Sequence, residues 1–212
     1  MTDAENEVLW NEYFYPGSNV LKNNYGIKDY NMLKEAEATN SFNRLIELQD
    51  KPLNMNCDKA RLNAIHEYLF ADIYPFAGDY RKVNMQKKEG TFLSINTSGD
   101  IDRYLDELFE FISKEIMLVK SKHDFADLLS KMYTQLIYCH PYREGNGRTI
   151  REFIREFSIV KSKEVGLEEM ELDWRKINVD ERDKDIAFAH LFPSKIAILF
   201  ENALTPVNNN VK

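Results

Sequence analysis

Apolar residues recur at every third or fourth position along most of this chain, and that spacing predicts α-helices. The clearest stripe runs from Phe125 to Ile137, with its apolar side chains on one helix face. The same spacing predicts further helices over residues 29–48, 58–71, 100–116, 145–157, 180–191 and 194–204. No internal repeat, low-complexity tract or linker interrupts them. We therefore predict an all-α bundle built as one domain, residues 1–212.

Residues 81–96 follow a different pattern, because apolar and polar positions alternate there. Val83 and Met85 share one side of the first half, and Leu93 and Ile95 share one side of the second. Residues 87–90 between them read as a turn. This arrangement predicts a β-hairpin, which we call the flap and expect to be the only β structure in the chain. A surface hairpin without a role is the alternative.

The two ends of the chain carry little helical signal. Residues 1–29 are rich in aromatic side chains and include the turn pair Pro16-Gly17, so we expect an N-terminal arm that packs onto the body. Residues 206–212 are polar and are expected to fray.

Residues 140–151 concentrate the candidate chemistry and read HPYREGNGRTIR. Pro141 cannot continue the preceding helix and disfavours helical geometry at His140, so His140 is predicted at the helix end, facing a loop. The next helix is predicted to begin near Gly145 or Asn146. The first amides of a helix are unpaired and carry partial positive charge. Those of Gly145, Asn146, Gly147 and Arg148 therefore predict a phosphate cradle.

The charged residues of this segment fit a nucleotide site. Arg148, Arg151 and Arg155 follow at helical spacing, and arginine suits forked contacts with phosphate oxygens. Glu144 beside them is placed to hold Mg²⁺, and His140 to take a proton from a hydroxyl.

Structural readings of the same residues remain open. Arg148 and Arg151 would instead pair with Glu152 or Glu156, Glu144 would cap the following helix, and Arg155 is taken as structural. Arg143 is expected to be exposed to solvent. Three further histidines lie in helical or capping contexts, and we do not expect them to be catalytic: His66, His123 and His190.

This segment resembles the signature of the Fic family, written H-P-F-x-[D/E]-G-N-G-R-x-x-R. Every fixed position is met except that Tyr142 replaces Phe; the position anchors the loop in the core, so a tyrosine serves there if its hydroxyl finds a partner. The resemblance extends to residues 15–23 and 70–78, and therefore spans most of the chain. It implies a Fic-type helical bundle with one small β-hairpin.

The resemblance also implies an activity, transfer of AMP from ATP to a Ser, Thr or Tyr hydroxyl of a target protein. His140 would be the general base, and Glu144 would hold Mg²⁺ across the α- and β-phosphates. The nucleotide-binding residues it implies are Gly145, Asn146, Gly147, Arg148 and Arg151. The target would pair with the flap strand to strand.

Other activities of Fic relatives remain open alternatives. A Doc-type branch has lysine at the second motif glycine and transfers phosphate; Gly147 here favours AMP transfer. Other relatives transfer UMP or phosphocholine. A non-catalytic nucleotide-binding regulator is a further alternative, although pure binding has no need of His140 as a base.

The inhibitory motif of many relatives, [S/T]-x-x-x-E-[G/N], has no full match here. Glu201 is followed by Asn202, as the motif requires, but Ala197 stands where the motif has Ser or Thr. The stretch around Glu35 matches the motif less well. We therefore expect inhibition by a separate, small antitoxin-like protein. Constitutive activity or control by oligomerisation is the alternative, and without an inhibitor the chain is expected to modify itself or a target.

Composition and charge narrow the partners. Hydrophobic residues make up 43% and charged residues 30%, typical of a globular domain, and the net charge of −7 argues against a general nucleic-acid coat. Cys57 and Cys139 fit a reducing compartment, as free thiols rather than a disulfide. No stretch is long and apolar enough to span a bilayer, and residues 1–5 show neither a basic start nor an apolar run. We expect a cytoplasmic protein, or one delivered from the cytoplasm.

Overall fold

The computed structural model describes residues 1–85, 92–97, 99–178, 180 and 193–207. The predicted all-α bundle is confirmed. The helices that the described residues form are α1 (Asp3–Glu12), α2 (Tyr30–Asp50), α3 (Lys59–Phe70), α4 (Asp100–Glu115), α5 (Lys122–Cys139), α6 (Asn146–Glu164) and α7 (Pro193–Ala203). Short 3₁₀ turns lie at Ile116–Leu118 and Trp174–Lys176. The helix predicted over 180–191 and most of the tail fall outside the described residues.

Helix α5 is the centre of the bundle. It packs against α4, α6 and α7, and its predicted apolar stripe is buried, with Phe125, Leu129, Met132 and Leu136 fully inaccessible. Cys57 and Cys139 are buried free thiols, as expected. Within the described part of the chain, no helix has the length and apolar character to cross a membrane.

Polar residues at the helix starts explain where several helices begin. The side chains of Asp29, Asp58 and Ser121 accept hydrogen bonds from first-turn amides of α2, α3 and α5. In α1, Thr2 and Glu5 form a capping box. The expected N-terminal arm is therefore helical at its start. Periodicity missed α1 because none of its residues is fully buried.

The strands of the described residues lie outside the predicted flap. Strand β1 (Met170–Leu172) pairs antiparallel with β2 (Leu204–Pro206), with Glu171 opposite Thr205. The expectation that residues 81–96 hold the only β structure is therefore wrong. The β1 amides are secured by α6, because the hydroxyls of Ser158 and Ser162 accept from Leu172 and Met170.

The flap is described only in its two arms, residues 81–85 and 92–96, and its turn lies outside the described residues. The arms lie side by side but form no backbone ladder. The Asn84 side chain joins them instead, accepting from Ile95 N–H at 2.7 Å and donating to Ile95 C=O at 3.2 Å. The hairpin itself stays a prediction.

A buried ion pair ties α3 to α6. Nε of Arg61 lies 2.6 Å from Oε2 of Glu156, and both side chains are almost inaccessible. Burial raises the pKa of Glu156. Glu156 is thus committed to Arg61 rather than to a motif arginine.

Removing one member of this pair should destabilise the fold strongly. We expect Arg61→Met to lower the free energy of unfolding by about 3–5 kcal/mol, because Glu156 is left buried and unpaired. The double variant Arg61→Met/Glu156→Leu should recover most of that loss. Urea denaturation measures all three proteins; equal losses in the single and double variants would contradict this account.

Candidate active site

His140 lies at the junction between α5 and the motif loop, as predicted. It caps α5 in a left-handed conformation, φ 46° and ψ 61°, and no other non-glycine residue of the described chain has positive φ. This conformation costs roughly 1–3 kcal/mol for such a residue, so surrounding contacts must hold it.

Arg81 supplies those contacts from the first arm of the flap. Its buried guanidinium donates to the carbonyl oxygens of His140 at 2.7 Å and Cys139 at 3.2 Å. The backbone N–H of Arg81 donates to the carbonyl oxygen of Pro141 at 2.8 Å. A cation at a helix C-terminus satisfies unpaired carbonyls and complements the helix dipole. The Arg81 guanidinium also donates to Leu93 C=O, in the second arm of the flap, at 2.6 Å. Sequence reasoning missed this residue, since its alternating context marked only a strand.

The flap also covers the imidazole of His140. The ring of Phe92, in the second arm, stacks on it with centroids 3.9 Å apart and an interplanar angle of 19°. The Leu93 N–H donates to Tyr138 C=O at 2.9 Å, which seats this arm on the last turn of α5. The candidate base and the candidate docking element are thus in direct contact.

The motif loop is part of the protein core. Tyr142 is fully buried, and its hydroxyl donates to Oδ1 of Asn63 at 2.8 Å. The condition set for a tyrosine at this position is therefore met. Asn146 closes the loop, because its side chain bonds both the N–H and the C=O of Tyr142, at 2.9 and 2.7 Å. Its amide group is therefore committed within the loop, and only its backbone N–H suits a phosphate.

Helix α6 begins at Asn146, within the predicted range. Its first turn has no side-chain cap among the described residues. Gly145 has φ 79°, and a Cβ there would lie 2.4 Å from the ring of Phe70. A Cβ on Gly147 would lie 3.1 Å from Nη1 of Arg151. The glycines therefore let the aromatic core and the second motif arginine approach the helix start closely.

Arg148 is held by α2 rather than by the glutamates suggested from sequence. Its guanidinium donates to the Ser41 hydroxyl at 2.8 Å, pairs with Glu37 and lies over the ring of Phe70. Glu37 also accepts from the hydroxyl of Tyr74. These contacts use two of the five guanidinium N–H groups of Arg148. The others suit a phosphate oxygen.

Two further charged residues of α6, Glu152 and Arg155, are structural. Glu152 pairs with Arg155 at 2.6 Å, and Arg155 reaches Glu171 of β1 at 3.1 Å. The structural reading of Arg155 is confirmed.

Glu144 lies half-buried beside the start of α6. Its Oε1 accepts from Gly145 N–H at 3.1 Å, a contact that does not cap the first turn. The described residues include no cluster of three His, Cys, Asp or Glu side chains that could hold a metal alone. Magnesium is often bound by one or two carboxylates together with nucleotide phosphates, so Glu144 fits a metal that arrives with its nucleotide.

His66 of α3 contacts the motif loop through a hydrogen bond and a stacked ring. Its Nδ1 accepts from Gly78 N–H at 2.8 Å, so Nε2 carries the proton and donates to Glu144 C=O, 3.0 Å away. Its ring stacks on Tyr142 at 3.7 Å and 5°. Burial lowers the pKa of His66 to about 4. It is a neutral structural contact, in agreement with the expectation that it is not catalytic.

The expectation that Arg143 is exposed is wrong. Its guanidinium is buried over the ring of Trp10 at 4.1 Å, with Tyr13 and Phe14 at 5.5 and 5.2 Å. Burial lowers the pKa of Arg143. The N-terminal aromatic residues, for which the sequence offered no partner, are packed on the motif loop by cation–π contacts.

Comparison with known proteins identifies the class. Residues 56–158 match the model of the Fic/DOC family. A probable protein adenylyltransferase of Sinorhizobium fredii, y4lH, is 35% identical over 143 residues, which are 66% of this chain and 71% of that protein. The chain belongs to the Fic family.

Two further relatives extend the likeness. The protein adenylyltransferase VbhT of Bartonella schoenbuchensis is 29% identical over 170 residues; the match covers 80% of this chain but only 34% of VbhT, so the chain spans about a third of that relative. The N-terminal Fic domain of a putative cell filamentation protein from Bartonella quintana, solved with bound ADP, superposes with a TM-score of 0.76 at 26% identity, covering 93% of this chain and 96% of that one. This likeness confirms the Fic fold.

The neutral state of His66 predicts an acid-sensitive fold. As pH falls from about 6.5 to about 4, the unfolded chain binds a proton at residue 66 that the folded chain does not. The free energy of unfolding should therefore fall across this window, by up to about 3 kcal/mol from this group. His66→Gln should flatten that slope in urea titrations at several pH values.

The exposed His123 provides a matched control. Its pKa is raised by a hydrogen bond to Glu201, so its own contribution has the opposite sign, and His123→Gln should not flatten the slope. An unchanged slope in the His66 variant would refute the assignment.

Proposed function

We propose that this chain is a protein adenylyltransferase that transfers AMP from ATP to a Ser, Thr or Tyr hydroxyl of a target protein and releases pyrophosphate. The observation that carries the proposal is the position of His140, held at the end of α5 one short loop ahead of the uncapped start of α6. That arrangement suits a base beside a phosphate cradle. The relatives named as adenylyltransferases support it.

The start of α6 would bind the nucleotide phosphates. The backbone N–H groups of Asn146 and Gly147 would donate to phosphate oxygens. The N–H of Gly145, which donates to Glu144 in this structure, would join them once the Glu144 carboxylate turns to the metal. Arg151, which approaches Gly147, and the remaining N–H groups of Arg148 would neutralise charge on the β- and γ-phosphates. Mg²⁺ held by Glu144 would offset charge on the α- and β-phosphates.

His140 would activate the acceptor. Its imidazole would take the proton of the target hydroxyl as the hydroxyl oxygen bonds to the α-phosphorus. The bond from that phosphorus to the bridging oxygen of the β-phosphate breaks, and pyrophosphate leaves. Stacking on Phe92 and the hold of Arg81 on the His140 backbone fix the ring in place. Positioning of this kind supplies most of the catalysis in such reactions.

Gly147 favours AMP transfer over the Doc-type reaction, because the Doc-type branch has lysine at this position. A Cβ there would lie 3.1 Å from Nη1 of Arg151. The glycine therefore lets the Arg151 side chain lie against the helix start, where it would meet a terminal phosphate.

The proposed base can be tested by intact-mass spectrometry. The purified chain is incubated with ATP and Mg²⁺, alone and with cell lysate as a source of targets. We expect a mass gain of one AMP on an acceptor, and its loss in His140→Ala, since no other group takes the proton. His123→Ala is the matched histidine control and should transfer normally.

The alternatives give different outcomes in the same assay. ATP binding by calorimetry should survive in His140→Ala, because the imidazole is not part of the phosphate cradle. A gain of phosphate would replace the proposal with the Doc-type reaction, and transfer by His140→Ala would refute the base.

We propose further that neither Glu35 nor Glu201 acts as the family's inhibitory residue and that a separate antitoxin-like protein supplies it. Glu201 is engaged with His123 at 2.7 Å, and Glu35 is exposed on α2. Glu35→Ala and Glu201→Ala should therefore leave the transfer rate unchanged, as measured by pyrophosphate release. Activity that appears only in one of these variants would identify an internal inhibitor.

A further inference from the structure

The first arm of the flap is bonded to the N-terminal helix through a single asparagine. Oδ1 of Asn6 in α1 accepts from Asn84 N–H at 2.6 Å, and its Nδ2 donates to Asn84 C=O at 3.4 Å. A carboxamide carries the same donor and acceptor as a peptide group. Asn6 therefore pairs with Asn84 as a neighbouring strand would, and it occupies the outer edge of this arm.

On the other side of Asn84, a side-chain amide again takes the place of a backbone peptide group. Because its backbone groups face α1, Asn84 reaches the second arm with its side chain, which bonds both the N–H and the C=O of Ile95. The chain of contacts from Asn6 through Asn84 to Ile95 therefore links α1 to the second arm. Because the Asn84 side chain takes the N–H and C=O of Ile95, these two groups do not pair with the backbone of the first arm.

Helix α1 is itself anchored to the motif loop. Trp10 covers the guanidinium of Arg143. Immediately after the helix, the hydroxyl of Tyr13 accepts from Lys82 N–H at 3.2 Å, and its ring packs edge-on against Phe76. The segment that carries Asn6 is thus attached to the loop of His140 and to the flap at once.

The second arm keeps one edge open. The backbone groups of Leu93 and Ile95 are bonded to Tyr138, Arg81 and Asn84. Extended residues alternate in the direction of these groups, so those of Ser94 point to the opposite edge. Ser94 is exposed, and no described residue bonds to its N–H or C=O. That edge lies two residues from Phe92, which stacks on His140.

We propose that Asn6 is a positioning residue for the acceptor. It closes the outer edge at Asn84 and, through Asn84, holds the second arm against His140. Of the two described arms, it is then the Ser94 edge that is open to the extended backbone of a protein acceptor. This inference rests on the proposed transferase function, because it assigns the docking edge of that reaction.

Amide hydrogen exchange measured by NMR tests the linkage without any acceptor. In Asn6→Ala, exchange at Asn84 and Ile95 should accelerate by roughly fivefold or more, the factor expected for one lost hydrogen bond. Asn11→Ala is the matched control, since Asn11 is exposed in the same helix and no described residue bonds its side chain. Ser94 should exchange fast in all three proteins. An unchanged Ile95 or a protected Ser94 would overturn the proposal.

Transfer kinetics separate positioning from a general structural effect. The acceptor is a His140→Ala copy of the chain, and the enzyme is wild type, Asn6→Ala or Asn11→Ala. In Asn6→Ala the KM for the acceptor should rise by roughly fivefold, with kcat and the KM for ATP unchanged. A fall in kcat at constant acceptor KM would overturn the positioning role. A wild-type enzyme that transfers no AMP to this copy or to any lysate protein would contradict the proposed function instead, and the exchange data would then decide the linkage alone.

Discussion

The architecture of the site depends on one interaction, the hold of Arg81 on the end of α5. A histidine in left-handed conformation ahead of a proline is unfavourable unless its carbonyl oxygen is engaged, and Arg81 engages it together with that of Cys139. The same guanidinium reaches the second flap arm at Leu93. Because one buried cation contacts both the end of α5 and the flap, it holds His140 and the second flap arm in a fixed relative position.

The motif loop is also held by helix α3 and by its own buried side chains. Tyr142 and Asn146 are buried, His66 bonds the backbone of Glu144, and Phe70 fills the space that a side chain on Gly145 would need. Such a loop has little freedom left to lose when a nucleotide binds. This form of preorganisation favours a reaction in which placement of the phosphates matters more than covalent chemistry.

Sequence reasoning predicted the elements that local rules determine. The proline after His140 located the end of α5, the apolar spacing that resumes after the loop located the start of α6, and the stripe of α5 located the core. Sequence reasoning missed contacts between residues that lie far apart in the sequence. Arg143 was misjudged because its aromatic cover lies some 130 residues earlier in the sequence, and periodicity within the motif carries no trace of it. The strand β1 was missed because it is three residues long and its partner strand, β2, lies 34 residues later in the sequence.

The burial of Arg143 has a consequence for how the domain can be divided. The family model matches residues 56–158, yet the cover of Arg143 comes from Trp10, Tyr13 and Phe14, and the partners of Arg148 come from α2. The stretch that is recognisable by sequence is therefore smaller than the cooperative unit. A fragment trimmed to the recognisable stretch would expose two arginines of the motif to water, and the loop would lose its order before the helices did.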